Sequence, residues 1–202
     1  MAMQPVLQYD VAYKQGLNRL TSFFRYFTMI PHIIVLAVLG IALEFVTFIA
    51  WFAILITGKY PRGMWEFSLG VARYSARLST YQNLLRDEFP PFGGGGDYPV
   101  QFELEYPDSM NRLTTFFRVL LAIPHMIVLY VLNALVGVVT LIAWFAILFT
   151  GNYPRGMFDF AVGVLRWQMR VGTYMLLLTD AYPPFTTAQV SGPSSGYATG
   201  MV

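Results

Sequence analysis

The chain has 202 residues, of which 56% are hydrophobic and only 12% charged, with a mean hydropathy of +0.52. Soluble domains carry about 25% charged residues, so a membrane or a partner must cover the apolar surface. A formal net charge of +2 gives no basis for nucleic-acid binding, and the absence of cysteine removes disulfides, thiolate metal sites and thiol catalysis.

The opening Met1-Ala2-Met3-Gln4-Pro5-Val6 has no basic stretch followed by an apolar core, so no cleavable signal peptide is expected. Everything after it occurs twice. Residues 18–92 return as 111–185 at a constant offset of 93 without a gap, with 44 identities in 75 positions. Each copy is one supersecondary unit, and any site built in one copy recurs about a pseudo-twofold axis.

In chain order, Leu7, Tyr9, Val11 and Tyr13 alternate with Gln8, Asp10 and Ala12, and Val100, Phe102, Leu104 and Tyr106 alternate with Gln101, Glu103 and Glu105. A period of two predicts a short, half-exposed strand in each copy, and the two strands can pair with each other. Residues 18–29 set Leu20, Phe23, Phe24 and Phe27 against Arg19 and Arg25, which predicts an interfacial amphipathic helix with its arginines toward lipid phosphate. Pro31 and Pro124 predict a kink or a fresh helix start. The apolar runs 31–56 and 124–149 then give about 39 Å of helix each, enough to cross a hydrocarbon core of about 30 Å. Gly58 and Gly151, followed by Pro61 and Pro154, predict the stop and the turn.

The last helix of each copy is apolar nearly all round: Met64, Phe67, Val71, Tyr74, Leu78, Tyr81 and Leu85, then Met157, Phe160, Val164, Trp167, Val171, Tyr174 and Leu178. One thin seam is charged, with Glu66, Arg73 and Arg77 in the first copy and Asp159, Arg166 and Arg170 in the second. Copies with the same Lys/Arg pattern orient alike, which requires an even number of crossings per copy. The expected fold is therefore an all-α membrane protein, a tandem repeat of two parallel helical hairpins with four membrane helices. A short strand and an interfacial helix precede each hairpin. Lys14, Arg19, Arg25, Arg86, Arg112 and Arg118 then face Lys59, Arg62 and Arg155 across the membrane, with both termini cytoplasmic. Arg73 and Arg77 would lie near mid-bilayer, at roughly 2.5–3.5 kcal/mol each if unpaired. A seam helix lying in the membrane plane, its arginines reaching the surface, is the alternative. The division expected is repeat 1 over 1–92, a flexible Gly-rich linker over 93–98, repeat 2 over 99–185 and an unstructured tail over 186–202.

The Ile-Pro-His, Phe-Ala-Ile-Leu-x-Thr-Gly-x-Tyr-Pro-Arg-Gly, Gly-Val-x-Arg and Pro-Pro-Phe blocks resemble a bacterial membrane-domain family of unknown function that is often duplicated. The resemblance covers about residues 6–92 and 99–185 and implies a multi-pass protein of the bacterial inner membrane. It supplies no activity, cofactor or catalytic residue.

Candidate sites follow from charge in an apolar setting. Arg73, Arg77, Arg166 and Arg170 are expected to bind lipid headgroups, to pair with Glu66, Asp159 or Glu44, or to line an anion path. Within the apolar runs the copies differ in charge only where Glu44 faces its counterpart Gly137. Arg19, Arg25, Arg62, Arg112, Arg118 and Arg155 are expected at headgroups, with Arg62 and Arg155 also in reach of the carboxylate that follows. His32 and His125 are expected as interfacial histidines, with a bis-histidine haem as the sharper alternative. No enzyme signature occurs: the glycines at 93–96 follow no strand and open no helix, so they read as a linker. The expectation is a non-catalytic accessory or scaffold subunit without a cofactor, partnered by lipids and by other membrane subunits or its own copies. A small anion or solute transporter at the repeat interface, or a haem-bearing electron carrier, is the alternative.

Overall fold

A computed structural model describes residues 6–190. Residues 1–5, where no signal peptide is expected, and 191–202 of the tail lie outside the described residues. The element order is β1 (Gln8–Val11), α1 (Arg19–Thr57), α2 (Arg62–Gln82), β2 (Val100–Glu103), α3 (Arg112–Thr150) and α4 (Arg155–Met175).

β1 and β2 form an antiparallel ribbon in which Tyr9 pairs with Phe102 and Asp10 with Gln101. The alternation predicted from sequence holds. Leu7, Tyr9, Val11, Val100, Phe102 and Leu104 are buried, while Asp10, Gln101 and Glu103 are exposed. The ribbon is not free-standing, which a two-stranded unit tolerates poorly. Tyr9 donates or accepts at Thr80 Oγ1 of α2 across 2.8 Å, and Arg166 of α4 donates to the Tyr9 carbonyl at 3.0 Å.

The interfacial segment and the apolar run prove to be one helix. α1 and α3 are each 39 residues, about 58 Å, and run through Pro31 and Pro124 without interruption. The reason is phase. At 100° per residue, Leu20, Phe27, Val38, Phe45 and Phe52 fall on one side, and Arg25, His32 and Ile54 on the other. The buried face therefore crosses the proline unchanged, and its contacts hold the helix despite the lost hydrogen bond. The C-terminal end is the predicted glycine stop, and the N-terminal end is an asparagine cap. The Asn18 side chain accepts from the Leu20 and Thr21 amides, and Gly58 takes φ 74° while its N–H donates to Ile54 O. Asn111 and Gly151 repeat this.

α1 and α3 lie side by side and antiparallel. Trp51 Nε1, near the end of α1, donates to Thr115 O at the start of α3, and Trp144 Nε1 donates to Ser22 O. The Leu17 amide reaches Gly151 O and the Met110 amide reaches Gly58 O, both at 2.8 Å. These contacts are related by the 93-residue offset, so they locate the pseudo-twofold axis. It passes between residues 36 and 37 of α1 and their equivalents on α3, and through the Tyr9–Phe102 pair of the ribbon. It therefore stands perpendicular to α1 and α3. The expected parallel hairpins are thus corrected: the first helices of the two copies point in opposite directions.

Three layers stack along this axis. The α1/α3 pair is at one end, α2 and α4 are in the middle, and the ribbon is at the other end. α2 packs on α1 and on β2, and α4 on α3 and on β1. This explains why the seam helices are apolar nearly all round. A middle layer is buried on both sides, as Trp65, Val71, Tyr74 and Leu78, and Phe158, Val164, Trp167 and Val171, show. Two helices, α1 and α3, are long and apolar enough to cross a membrane; α2 and α4 are not.

The segment 93–96 is a packed strap, not a flexible linker. A Cβ on Gly94 would meet Gly70 Cα of α2 at 2.8 Å, and Gly93 and Gly96 take positive φ. At the equivalent place in the second copy, Thr187 packs on Gly163, so tail residues 186–190 are docked as well.

Candidate functional site

The seam arginines are the clamps on these straps. Arg77 Nη1 and Nη2 donate to the carbonyls of Gly95 and Gly96 at 2.5 and 2.7 Å, and Arg73 Nε to Phe102 O at 3.4 Å. Arg170 donates to Thr186 O and Ala188 O at 3.3 and 2.7 Å, and Arg166 to Tyr9 O, Thr187 O and the Asp10 carboxylate. Burial, followed by the charge of Arg166, lowers the Arg170 pKa to about 10. The expected pairs with Glu66, Asp159 and Glu44 do not form. Glu66 and Asp159 lie seven residues before Arg73 and Arg166, about 10 Å along the helix, and form ion pairs instead with Arg62 (3.1 Å) and Arg155 (3.9 Å). Glu44 lies on α1, whereas the seam faces the ribbon.

Arg25 and Arg118, expected at headgroups, are buried, at 1% and 2% exposure. Arg25 donates to Tyr81 O in the last turn of α2 at 2.7 Å and to Asp87 Oδ1 at 2.8 Å, and lies over the Tyr81 ring. Asp87 Oδ2 accepts from the Asn18 amide at 2.6 Å. The second copy matches it: Arg118 donates to Tyr174 O and Thr179 O and pairs with Asp180, which accepts from the Asn111 amide and Thr114 Oγ1. In each cluster the carboxylate sits at the positive start of the long helix and the guanidinium at the negative end of the short one. Asp87 and Asp180 were missed in the sequence. Their signal was available, since they are the only acidic identity between the copies over 18–92 and 111–185.

Of the remaining headgroup candidates, Arg62 and Arg155 are exposed beside their carboxylates and lie over the rings of Tyr106 and Tyr13. Arg19 and Arg112 are exposed at the starts of the long helices, Arg19 donating to Phe149 O at 3.2 Å.

His32 and His125 are fully buried within the protein. His32 Nδ1 bonds the Tyr74 hydroxyl at 2.6 Å, and Phe92 stacks on the ring at 4.3 Å. His125 Nδ1 accepts from Trp167 Nε1 at 3.1 Å, with Phe185 stacked at 3.8 Å. Because indole only donates, Nδ1 of His125 is the unprotonated nitrogen. The Ile-Pro-His and Pro-Pro-Phe blocks thus meet in each copy. The two histidines are not brought together. Each lies about four to five residues from the axis on opposite sides, which separates them by about 13 Å along the helix direction, and each ring is enclosed within its own copy. A single iron held between them does not fit this arrangement.

Two largely apolar cavities lie at the repeat interface, apart from a polar one between β1 and α4 that Arg166, Asp159 and Arg155 line. One, of about 300 Å³, is lined by residues including Leu36, Leu43, Val71, Met169 and Phe102, and none of the seam arginines lines it. The other, of about 550 Å³, is a groove between α1 and α3 with the end of α4 as its floor. Its lining includes Glu44, Thr47, Trp51, Val119 and Leu176. Glu44 makes no hydrogen bond or ion pair among the described residues. The unrepeated charge singled out in the sequence is therefore at a cavity.

No curated protein and no solved structure matches the chain. Residues 19–93 and 112–187 each match the family described as a domain of unknown function (DUF4389), ranges that cover the two helices and the strap of each copy and leave the strands outside, and the chain belongs to that family.

Proposed function

We propose that this chain is a non-catalytic membrane-seated module. In this proposal α1 and α3 lie in the plane of one leaflet, their outer face in the acyl region, and the ribbon faces water. The module acts as an accessory subunit that offers its ribbon side to the rest of a membrane assembly. One observation carries the proposal. Among the described residues, 33 of the 37 exposed large apolar side chains lie on α1 and α3, and the other four are Phe89, Phe92, Tyr182 and Phe185 of the Pro-Pro-Phe loops. Half-burying side chains of this kind is worth about 1 kcal/mol each, so covering the face is worth tens of kcal/mol.

Two further points favour lying over crossing. The exposed apolar face runs from Leu20 to Ile56 and from Leu113 to Phe149, about 54 Å on each helix. To fit a core of about 30 Å, such a face would tilt by roughly 55°, beyond the usual 0–40°. In a crossing arrangement the axis would also lie in the membrane plane. That would hold the ribbon, with exposed Asp10 and Glu103, at mid-bilayer depth, where such groups are costly.

The test uses the absence of cysteine. Single cysteines at Lys59, Asn152 and Gln101 are exposed to a membrane-impermeant thiol reagent in sealed vesicles. In-plane seating predicts that all three label from the same side. Parallel hairpins would separate Gln101 from the other two, and antiparallel crossing would separate Lys59 from Asn152; either result refutes the proposal.

A further inference from the structure

The groove beside Glu44 has a symmetry mate, and the two halves differ. Where one floor has Met175 and Leu176, the other has Gln82 and Asn83, and Asn83 Oδ1 accepts from Thr140 Oγ1 at 3.1 Å. The equivalent hydroxyl, Thr47 Oγ1, is buried with no partner, because Leu176 stands where Asn83 would be. Likewise Tyr26 occupies the place of Val119, and Asn133 that of Gly40. One half-site is thus floored by a polar side chain tied to its threonine. The other is an apolar groove of about 550 Å³, within the range of small-ligand pockets, with a carboxylate on its wall.

We infer that this groove holds one acyl chain of an aminophospholipid, with the lipid ammonium on the Glu44 carboxylate. The inference rests on the in-plane seating proposed above, which puts the groove in contact with the leaflet. Charge selects the headgroup. The guanidinium of Arg118 is matched by Asp180, so Glu44 sets the sign of the site. An anionic headgroup is repelled. A choline headgroup carries positive charge but no N–H to donate, whereas an ethanolamine ammonium forms a charge-assisted hydrogen bond. A Cβ added at Gly40, on the groove wall, meets nothing within 4 Å, so a side chain placed there has room to enter the groove.

The experiment is native mass spectrometry of the full chain in mild detergent. It is titrated with phosphatidylethanolamine, phosphatidylcholine and phosphatidylglycerol of identical acyl chains. One ethanolamine lipid should be retained per chain, about tenfold more tightly than the other two, which corresponds to about 1.4 kcal/mol. Glu44→Gln should remove that preference, and Gly40→Phe, which fills the groove, should weaken retention of every lipid. Equal retention of the three lipids, retention of none, or an unchanged preference in Glu44→Gln overturns the inference. Flotation with vesicles is measured in parallel. A wild-type chain that does not float overturns the seating itself, whereas flotation without lipid preference overturns the groove assignment alone.

Discussion

Depth in the bilayer separates a lying helix from a crossing one. Phe27, Val38 and Phe52 fall within about 40° of one another around α1, all exposed, and Phe27 and Phe52 are 25 residues apart. That spacing is about 38 Å of helix. With α1 in the plane, the three positions share one depth to within about a helix diameter, roughly 10 Å. With α1 crossing at an ordinary tilt of about 20°, Phe27 and Phe52 differ in depth by about 35 Å. Nitroxide labels on single cysteines at these positions, read by the ratio of oxygen to polar-relaxant accessibility, measure depth directly. The expected outcome is three similar values in the acyl region near the headgroups, repeated at the equivalents Leu120, Val131 and Phe145. A profile that climbs from one interface through a maximum at Val38 and down to the other would refute in-plane seating.

Further outcomes follow from single contacts. Asp87→Asn leaves the Arg25 guanidinium buried without its counter-charge and should cost about 3–5 kcal/mol in thermal unfolding in detergent, with Asp180→Asn costing as much. If both variants melt within 1 °C of the wild type, about 0.5 kcal/mol at most, the clusters are not anchors. Gly94→Ala drives a methyl into the Gly70 backbone and should destabilise by about 1–3 kcal/mol, whereas Gly95→Ala, with nothing in reach, should change little. Burial alone would raise the Glu88 carboxyl, but Lys14 and Arg86 outweigh it and bring its pKa down from 4.5 to about 2. Its contribution is therefore complete above pH 5 and is lost as pH falls through 2. Glu88→Gln should flatten the pH dependence of melting over that window, and an unchanged slope would remove Glu88 as its source.

Local rules read well in the sequence because their causes are local. The glycine stops and the strand alternation each depend on a few adjacent residues. Pro31 misled because a proline restricts its own neighbourhood, whereas the contacts that carry α1 across it come from α2: Tyr81 O on Arg25 and Tyr74 on His32. The arginine seam was legible as a seam and misread in its partner. Apolarity all round a helix is the same pattern whether lipid or protein covers it, and here strap and ribbon carbonyls are the cover. The glycines at 93–96 look like linker composition, and only the position of Gly70 shows that one is needed for close approach. Asp87 is 62 residues from Arg25, beyond the reach of any periodicity.

The repeat set a parity condition, that both copies have the same orientation and so cross the membrane an even number of times. Two crossings met it by forcing the arginine-seamed helices into the bilayer. Zero crossings, the seating proposed above, meets it too. A twofold axis perpendicular to the antiparallel α1/α3 pair makes the copies equivalent relative to a leaflet only if the axis is the membrane normal. Both interhelix turns, both straps and the ribbon then fall on the water side of one apolar layer. The same symmetry isolates Glu44. In that proposed seating, a carboxylate in the apolar layer is costly unless something of opposite charge reaches it, and no cation among the described residues does so. Its counterpart is Gly137, so the second half of the raft bears no such cost. In the seating proposed above, a lipid ammonium is the group of opposite charge placed to reach Glu44.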